Sequence, residues 1–215
     1  MKPPKFQFAR ATSIDDVVRY LDADESAKVI AGGQSLVALM NFRLATPSLL
    51  VDISRVDDLG RIEVTDTHVV IGATVRQRTA ETSDDVRAHC ALIPQALNHV
   101  GHVQIRNRGT VVGSIVHADP ASELPAVALA LGADLLVSGP GGSRVIAARD
   151  FFVAPYWTTL EHGESGSRRT LPGRSRLWRN TPDGLVTSPL PVLPSARQVG
   201  RSPWRRSVSA QRQYG

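Results

Sequence analysis

The first 55 residues combine a helical repeat of apolar positions with short apolar runs of strand length. Apolar residues recur at helical spacing over 14–21, behind Thr12 or Ser13 as the N-cap, and predict a helix with one buried stripe. The runs 28–31 and 49–53 each predict a strand, because both are short, apolar and bounded by turn residues. The pattern therefore predicts a small sheet covered by one helix.

Strands and helices also follow one another after residue 57. The predicted elements are strands at 61–64, 68–71, 134–138 and 143–147, and helices within 84–99 and over 121–131. Pro94 interrupts the apolar pattern of 84–99, which predicts two short helices there. The last two strands predict a hairpin through a Gly-Pro-Gly-Gly turn. We expect an α+β fold of two units, residues 1–56 and 57–164.

The composition changes abruptly after residue 164. Residues 165–215 contain 10 Arg, 8 Ser, 6 Pro and 5 Gly, and no segment keeps a period of two or of 3.6. The overall net charge of +5 divides into −4 for residues 1–164 and +9 for this tail. Such a segment cannot offset its ordering entropy by burial, which predicts disorder.

Two interpretations of the tail are open. The lost periodicity, the reversed charge and the use of Arg without Lys are typical of an out-of-frame translation of a GC-rich gene. The alternative is a basic arm that binds nucleic acid, supported by paired arginines with Trp178 and Trp204 nearby.

Several classes of protein do not fit the chain. No apolar stretch approaches the roughly 18 residues of a membrane helix, and no signal sequence is predicted at the start. The single cysteine, Cys90, cannot form an intramolecular disulfide or by itself hold a metal cluster, and we expect it to be a core residue within an apolar helix. His99, His102 and His117 do not have the spacing of a metal set. A cytoplasmic location is expected.

Two segments rich in small residues lie about eighty positions apart. The first motif is Ala31-Gly32-Gly33-Gln34-Ser35-Leu36, and the second motif is Thr110-Val111-Val112-Gly113-Ser114. Each offers backbone N–H groups without bulky side chains beside a hydroxyl, which is the surface that a diphosphate needs. Neither has the glycine spacing of the parallel-sheet dinucleotide fingerprint or of a triphosphate loop.

Each motif alone also has a plainer interpretation. The first is a tight turn, followed at 36–42 by a short helix or a buried passage. The second is an ordinary strand with a polar flank, in which Arg106 and Arg108 are solvated surface charges.

The motifs in combination resemble a known family. The chain contains, in order, AGGQSL, VDIS, IGAT, QIRNRGT followed two residues later by GS, and HADPASELPAVALAL. From Phe6 to Glu164 the sequence resembles the FAD-binding middle subunit of molybdenum hydroxylases. That group includes the medium chain of aerobic carbon monoxide dehydrogenase and the flavin domain of xanthine dehydrogenase. The resemblance implies a two-subdomain FAD-binding fold of the PCMH type.

The resemblance also implies roles for single residues. The FAD diphosphate would be held from two sides by Ala31, Gly32, Gly33, Gln34, Ser35 and Leu36 and by Thr110, Val111, Gly113 and Ser114. Glu123 matches the acidic residue that contacts the ribityl or ribose hydroxyls, and Asp119 is a second candidate. No residue is expected to act as a catalytic acid or base, since the flavin carries the chemistry.

The function implied is that of an electron-transfer flavoprotein subunit. Its partners would be a molybdopterin-containing large subunit and a 2Fe-2S small subunit, and electrons would pass through FAD to an external acceptor. Val112 departs from the family, which usually has glycine there, and a β-branched residue resists positive φ and adds bulk. The family pattern also stops at Glu164. The alternative is therefore a remnant without bound FAD.

Overall fold

The computed structural model describes residues 2–65, 68–160 and 171–179. The helices are α1 Ile14–Ala23, α2 Leu36–Asn41, α3 Gln77–Thr82, α4 Asp84–His89, α5 Leu92–Leu97, α6 Val103–Arg108, α7 Val111–His117, α8 Glu123–Ala130 and α9 Ala148–Phe151, with a 3-10 turn at Asp57–Leu59. The strands are β1 Gln7–Arg10, β2 Lys28–Ile30, β3 Leu49–Asp52, β4 Ile62–Val64, β5 His68–Ile71, β6 Asp134–Gly139, β7 Gly142–Ala147, β8 Phe152–Ala154, β9 Trp157–Thr158 and β10 Leu171–Arg179. The mixture confirms the α+β class.

The N-terminal sheet has three parallel strands in the order β1-β3-β2. Helix α1 begins after Ser13, whose hydroxyl oxygen accepts a hydrogen bond from the Asp16 N–H at 3.1 Å. The helix buries Val17 and Leu21, as its apolar stripe predicts. Strand β1 was not predicted, because only Phe8 and Ala9 in its four residues are apolar.

The second sheet has five antiparallel strands in the order β4-β5-β10-β6-β7. The predicted hairpin of β6 and β7 is confirmed. Its pairing continues to Gly139 and Gly142, so the turn consists of two residues rather than the expected four.

Strand β10 lies within the segment predicted to be disordered, and it corrects that prediction for nine residues. Its backbone pairs with β5 on one side and with β6 on the other. A strand that lies between two others can pair its backbone N–H and C=O groups on both sides whatever its side chains are, so no side-chain periodicity indicated β10. The register shifts after Pro172, which has no N–H to donate. The rest of 165–215 lies outside the described residues, and both interpretations of the tail stay predictions.

The buried apolar residues form two clusters. The larger packs helices α3, α4, α5, α7, α8 and α9 against the second sheet and includes Leu97, Ile115 and Phe151, all fully buried. The smaller surrounds the N-terminal sheet and receives Val112 from α7. The smaller cluster also contains Leu59 and Ala73 and so extends beyond residue 56, and the division into residues 1–56 and 57–164 remains our proposal.

Two predictions in the helical region need adjustment. The expected pair of helices within 84–99 is present as α4 and α5, but the break falls at Cys90 and Ala91. Pro94 is the third residue of α5, where an N–H would have no intrahelical acceptor. Cys90 therefore ends a helix rather than lying within one; it is buried, and burial raises the pKa of its thiol to about 11.

None of the helices in the described ranges has the length and apolar content that crossing a bilayer requires.

Candidate functional site

The two motifs meet at Gly32. A Cβ on Gly32 would lie 2.5 Å from the carbonyl oxygen of Arg108, 2.8 Å from the Cα of Gly109 and 3.1 Å from the backbone nitrogen of Thr110. No side chain fits in that space, so glycine is required for the backbones to approach this closely. Residues separated by almost eighty positions in the chain are thus in backbone contact.

A cavity of about 1240 Å³ opens beside this contact. Its lining contains Ala31, Gly32, Gly33, Gln34, Ser35 and Leu36 from the first motif, and Thr110, Val112, Gly113 and Ser114 from the second. The volume exceeds the roughly 300–1,000 Å³ of pockets for drug-sized ligands, so a dinucleotide can be accommodated.

The first motif carries unused backbone donors beside this cavity. The N–H groups of Gly33, Gln34, Ser35 and Leu36 donate to no acceptor among the described residues. Gly33 has φ +73°, a conformation that glycine adopts without strain. Four neighbouring N–H groups that lack protein acceptors are suited to an anionic oxygen-rich ligand.

The second motif is not a turn or a strand, as its sequence suggested, but the start of helix α7. The Oγ1 of Thr110 accepts the N–H of Gly113 at 3.1 Å and caps the helix. A Cβ on Gly113 would lie 2.5 Å from that oxygen, so Gly113 permits the cap. The Ser114 hydroxyl lies 2.9 Å from the Ser122 hydroxyl, which connects α7 to the start of α8.

Val112 does not obstruct the cavity. It has a helical backbone rather than positive φ, and its side chain is fully buried in the N-terminal core. The expectation that it places bulk toward the diphosphate is therefore corrected. Its N–H has no acceptor among the described residues. Val111 is also fully buried, in the larger core, and is absent from the cavity lining.

The two acidic candidates are placed differently. Asp119 lines the cavity, and one of its carboxylate oxygens accepts the Ala121 N–H at 2.9 Å. Glu123 is the first residue of α8, is half-buried and does not line the cavity. Of the two, Asp119 is the carboxylate that the structure brings to the site.

Aromatic side chains border the same space. His117 lines the cavity and its ring lies 5.3 Å from the ring of Tyr156, centroid to centroid. Tyr156 joins β8 to β9, and its N–H donates to the carbonyl of Ala118 at 2.8 Å. The neighbouring Trp157 also lines the cavity and is 65% exposed. These rings offer surfaces on which a planar heterocycle can stack.

The second motif is hydrogen-bonded to residues at the start of helix α3, a helix that no sequence pattern indicated. The N–H of Gln77 donates to the carbonyl of Gly109 at 2.9 Å, and the N–H of Val111 donates to the carbonyl of Val75 at 3.2 Å. Arg76 also donates to the carbonyl of Arg108. Residues 75–77 therefore fix the position of the segment 108–111, which leads into α7.

A buried ion pair joins α3 to α6, one turn further along α3. Arg106 donates to both carboxylate oxygens of Glu81, at 2.9 and 3.2 Å, and to the carbonyls of Val100 and Gly101. Both side chains are less than 10% exposed, so Arg106 is not the solvated charge that its sequence suggested. Burial acts to raise the pKa of Glu81, but hydrogen bonds and charges from Arg106 and Arg78 outweigh it and lower the pKa.

No group of His, Cys, Asp and Glu within the described ranges has the arrangement of a metal site. The features that the structure does bring together are a glycine contact without room for a Cβ, donors without acceptors, and a carboxylate in one large cavity. These fit a nucleotide diphosphate flanked by sugar hydroxyls. The fold and the cavity thus define an α+β protein with a cavity suited to a dinucleotide.

Comparison with known proteins identifies the family. Residues 4–165 match the FAD binding domain in molybdopterin dehydrogenase. Over 165 residues the chain is 43% identical to the 6-hydroxypseudooxynicotine dehydrogenase complex subunit alpha of Paenarthrobacter nicotinovorans, covering 76% of this chain and 56% of that protein. It is 39% identical to the carbon monoxide dehydrogenase medium chain of Afipia carboxidovorans, covering 76% and 57%. The chain belongs to the family of FAD-binding domains of molybdopterin dehydrogenases.

The solved structures agree. The crystal structure of quinoline 2-oxidoreductase from Pseudomonas putida 86 superposes with a TM-score of 0.79 at 35% identity, covering 84% of this chain and 61% of that one. FAD is the cofactor of the matched domain, which confirms the resemblance drawn from the sequence. The chain spans about three fifths or less of the length of these relatives.

Proposed function

We propose that this chain binds FAD with the diphosphate between the first and second motifs, as part of an electron-transfer subunit of a molybdenum hydroxylase. The observation that carries the proposal is the backbone contact of Gly32 with Gly109 and Thr110 at the edge of the cavity. The contact brings the unpaired donors of the first motif beside the start of α7.

Each residue of the site would contact the part of FAD that matches its hydrogen-bonding groups. The N–H groups of Gly33 to Leu36 donate to phosphate oxygens, since an anionic acceptor forms strong hydrogen bonds with them. The Asp119 carboxylate accepts from sugar hydroxyls. Ser114 stays bonded to Ser122 and contributes its hydroxyl oxygen to the wall. Glu123 and Val111 support α8 and α7 from outside the cavity.

The protein's contribution is to bind and orient the cofactor. When bound, FAD supplies the electron-accepting and electron-donating chemistry, and no side chain is required as acid or base. His117, Tyr156 and Trp157 would offer ring surfaces along one side of the cavity on which a planar ring of the cofactor can stack.

The proposed assembly follows the names of the relatives. The medium chain and subunit designations of similar proteins support a multi-subunit complex. We infer a molybdopterin-containing large subunit and a 2Fe-2S small subunit as partners, an external electron acceptor, and a cytoplasmic location.

Reconstitution tests the proposal. The purified chain is mixed with FAD, passed through a desalting column and assayed for flavin absorbance near 450 nm. About one FAD per chain is expected if FAD occupies the cavity between the two motifs. FMN and riboflavin serve as controls, because both lack the diphosphate and should be retained less. A protein that stays colourless and does not quench FAD fluorescence would support the remnant alternative instead.

A further inference from the structure

Two buried polar atoms have no hydrogen-bond partner among the described residues, and both belong to residues that line the cavity. They are the Oε1 of Gln77 and the Oγ1 of Thr159. Buried polar atoms in native proteins are nearly always paired, so each exception requires an explanation. That both residues line one cavity points to the ligand of that cavity.

Gln77 is held in place by its other groups. The residue is 4% exposed, and its Nε2 lies 3.5 Å from the Thr110 carbonyl, to which it donates. Its Oε1 faces Gly109, at 3.0 Å from the position that a Cβ would take there. The amide is therefore oriented at the junction of the two motifs, with its acceptor unused.

Thr159 also lines the cavity and lies near the end of the described range 68–160. It follows β9, and its N–H donates to the carbonyl of Phe151 at 2.8 Å. Its own carbonyl accepts from Arg144 at 3.1 Å. Both backbone groups are thus engaged, and only the buried hydroxyl is left without a partner.

We propose that Gln77 and Thr159 are cofactor-binding residues that hydrogen-bond the hydroxyl-bearing part of FAD. Phosphate oxygens are acceptors and cannot satisfy the Oε1 of Gln77, whereas a ribityl or ribose hydroxyl can donate to it. The Oγ1 of Thr159 can donate to or accept from the same kind of group. This inference rests on the proposed function and adds two residues to its site.

The substitution Gln77→Met tests the first residue, because methionine has a similar length and no polar atom. The substitution removes the unpaired Oε1 and also the long bond from Nε2 to the Thr110 carbonyl, which still accepts the N–H of Ser114. The midpoint of apo-protein thermal unfolding should therefore stay within about 2 °C of the wild type. FAD affinity, measured by fluorescence quenching, should fall about 3- to 10-fold, as expected for one neutral hydrogen bond. Gln95→Met, at an exposed position on α5, is the matched control.

Thr159→Val tests the second residue in the same way, since valine has the same shape without the hydroxyl. The same fall in affinity without loss of apo stability is expected. Titrations with ADP separate the two sources of hydroxyls. A loss seen with FAD and not with ADP assigns the residue to the ribityl chain, and a loss seen with both assigns it to the ribose.

The outcomes are distinguishable. Wild-type protein that binds no FAD overturns the proposed function and this inference with it. Wild-type protein that binds FAD while both variants bind it equally well overturns this inference alone. A fall in apo stability that accounts for the weakened binding would show that Gln77 and Thr159 are structural.

Discussion

Replacing Gly32 with alanine should separate the two motifs and weaken FAD binding. The added Cβ would lie 2.5 Å from the Arg108 carbonyl oxygen, whereas ordinary contact begins at 3.4 Å, so the shortfall is about 0.9 Å. The obstructing atoms include the Gly109 Cα and the Thr110 nitrogen. All of them are backbone, and no side-chain rotation can relieve the contact.

The magnitude follows from the cost of overpacking. Forcing an extra methyl group into a closely packed region costs about 1–3 kcal/mol. The apo protein can relieve part of this strain by moving the motifs apart, but a ligand held by both motifs must bring them together again. If the full cost falls on binding, FAD affinity decreases by about 5- to 150-fold.

Fluorescence titration with FAD measures the loss of affinity, and thermal unfolding of the apo protein measures the loss of stability. Gly141→Ala is the matched control, because a Cβ there has no heavy atom within 4 Å and the residue does not need positive φ. The control should bind FAD as the wild type does. If Gly32→Ala also matches the wild type in affinity and stability, the two motifs do not form one rigid site.

Three further predictions concern the elements that support the site. Glu81→Gln leaves a buried arginine without its counter-charge and should lower the free energy of unfolding by about 3–5 kcal/mol in denaturant titrations, whereas Asp84→Asn, in an exposed pair, should change it by at most about 1 kcal/mol. The folded protein lowers the pKa of Glu81, so the contribution of this carboxylate to the free energy of unfolding is complete above its ordinary pKa of 4.5 and is lost as pH falls through the lowered pKa. The free energy of unfolding should therefore decrease more steeply on acidification in the wild type than in Glu81→Gln, and equal slopes would refute this. Val112→Gly should restore no FAD affinity and should lower stability by about 2–4 kcal/mol, because it removes a fully buried side chain from a helix; tighter FAD binding would show that Val112 does face the ligand.

The local patterns identified the elements whose signals are contained within a few residues. Helix α1 was predictable from its apolar spacing and its Ser13 cap, and the hairpin of β6 and β7 from its glycine-rich turn. The first motif was also predictable as a candidate, because its glycines follow a strand directly. These predictions depend on short-range geometry, which the sequence specifies.

Features that depend on tertiary contacts were not predictable in this way. Two valines and a glycine at 111–113 have low helix propensity, and it is the Thr110 cap and burial in two cores that make this segment helical. Glu81 and Arg106 are separated by 25 positions, and no periodicity relates them. The contact of Gly32 with Gly109 is longer in range still, and only the family resemblance suggested it.

The central claim is that the FAD diphosphate lies between the first and second motifs, and amide chemical shifts on cofactor binding test it most directly. In a ¹⁵N-labelled sample titrated with FAD, the amides of Gly33, Gln34, Ser35, Leu36 and Val112 should show the largest shifts, since they have no protein acceptor in the described structure. The same amides should shift with ADP, which retains the diphosphate, and much less with riboflavin, which lacks it. Saturation with FAD that leaves these five amides unshifted while others move would contradict the account.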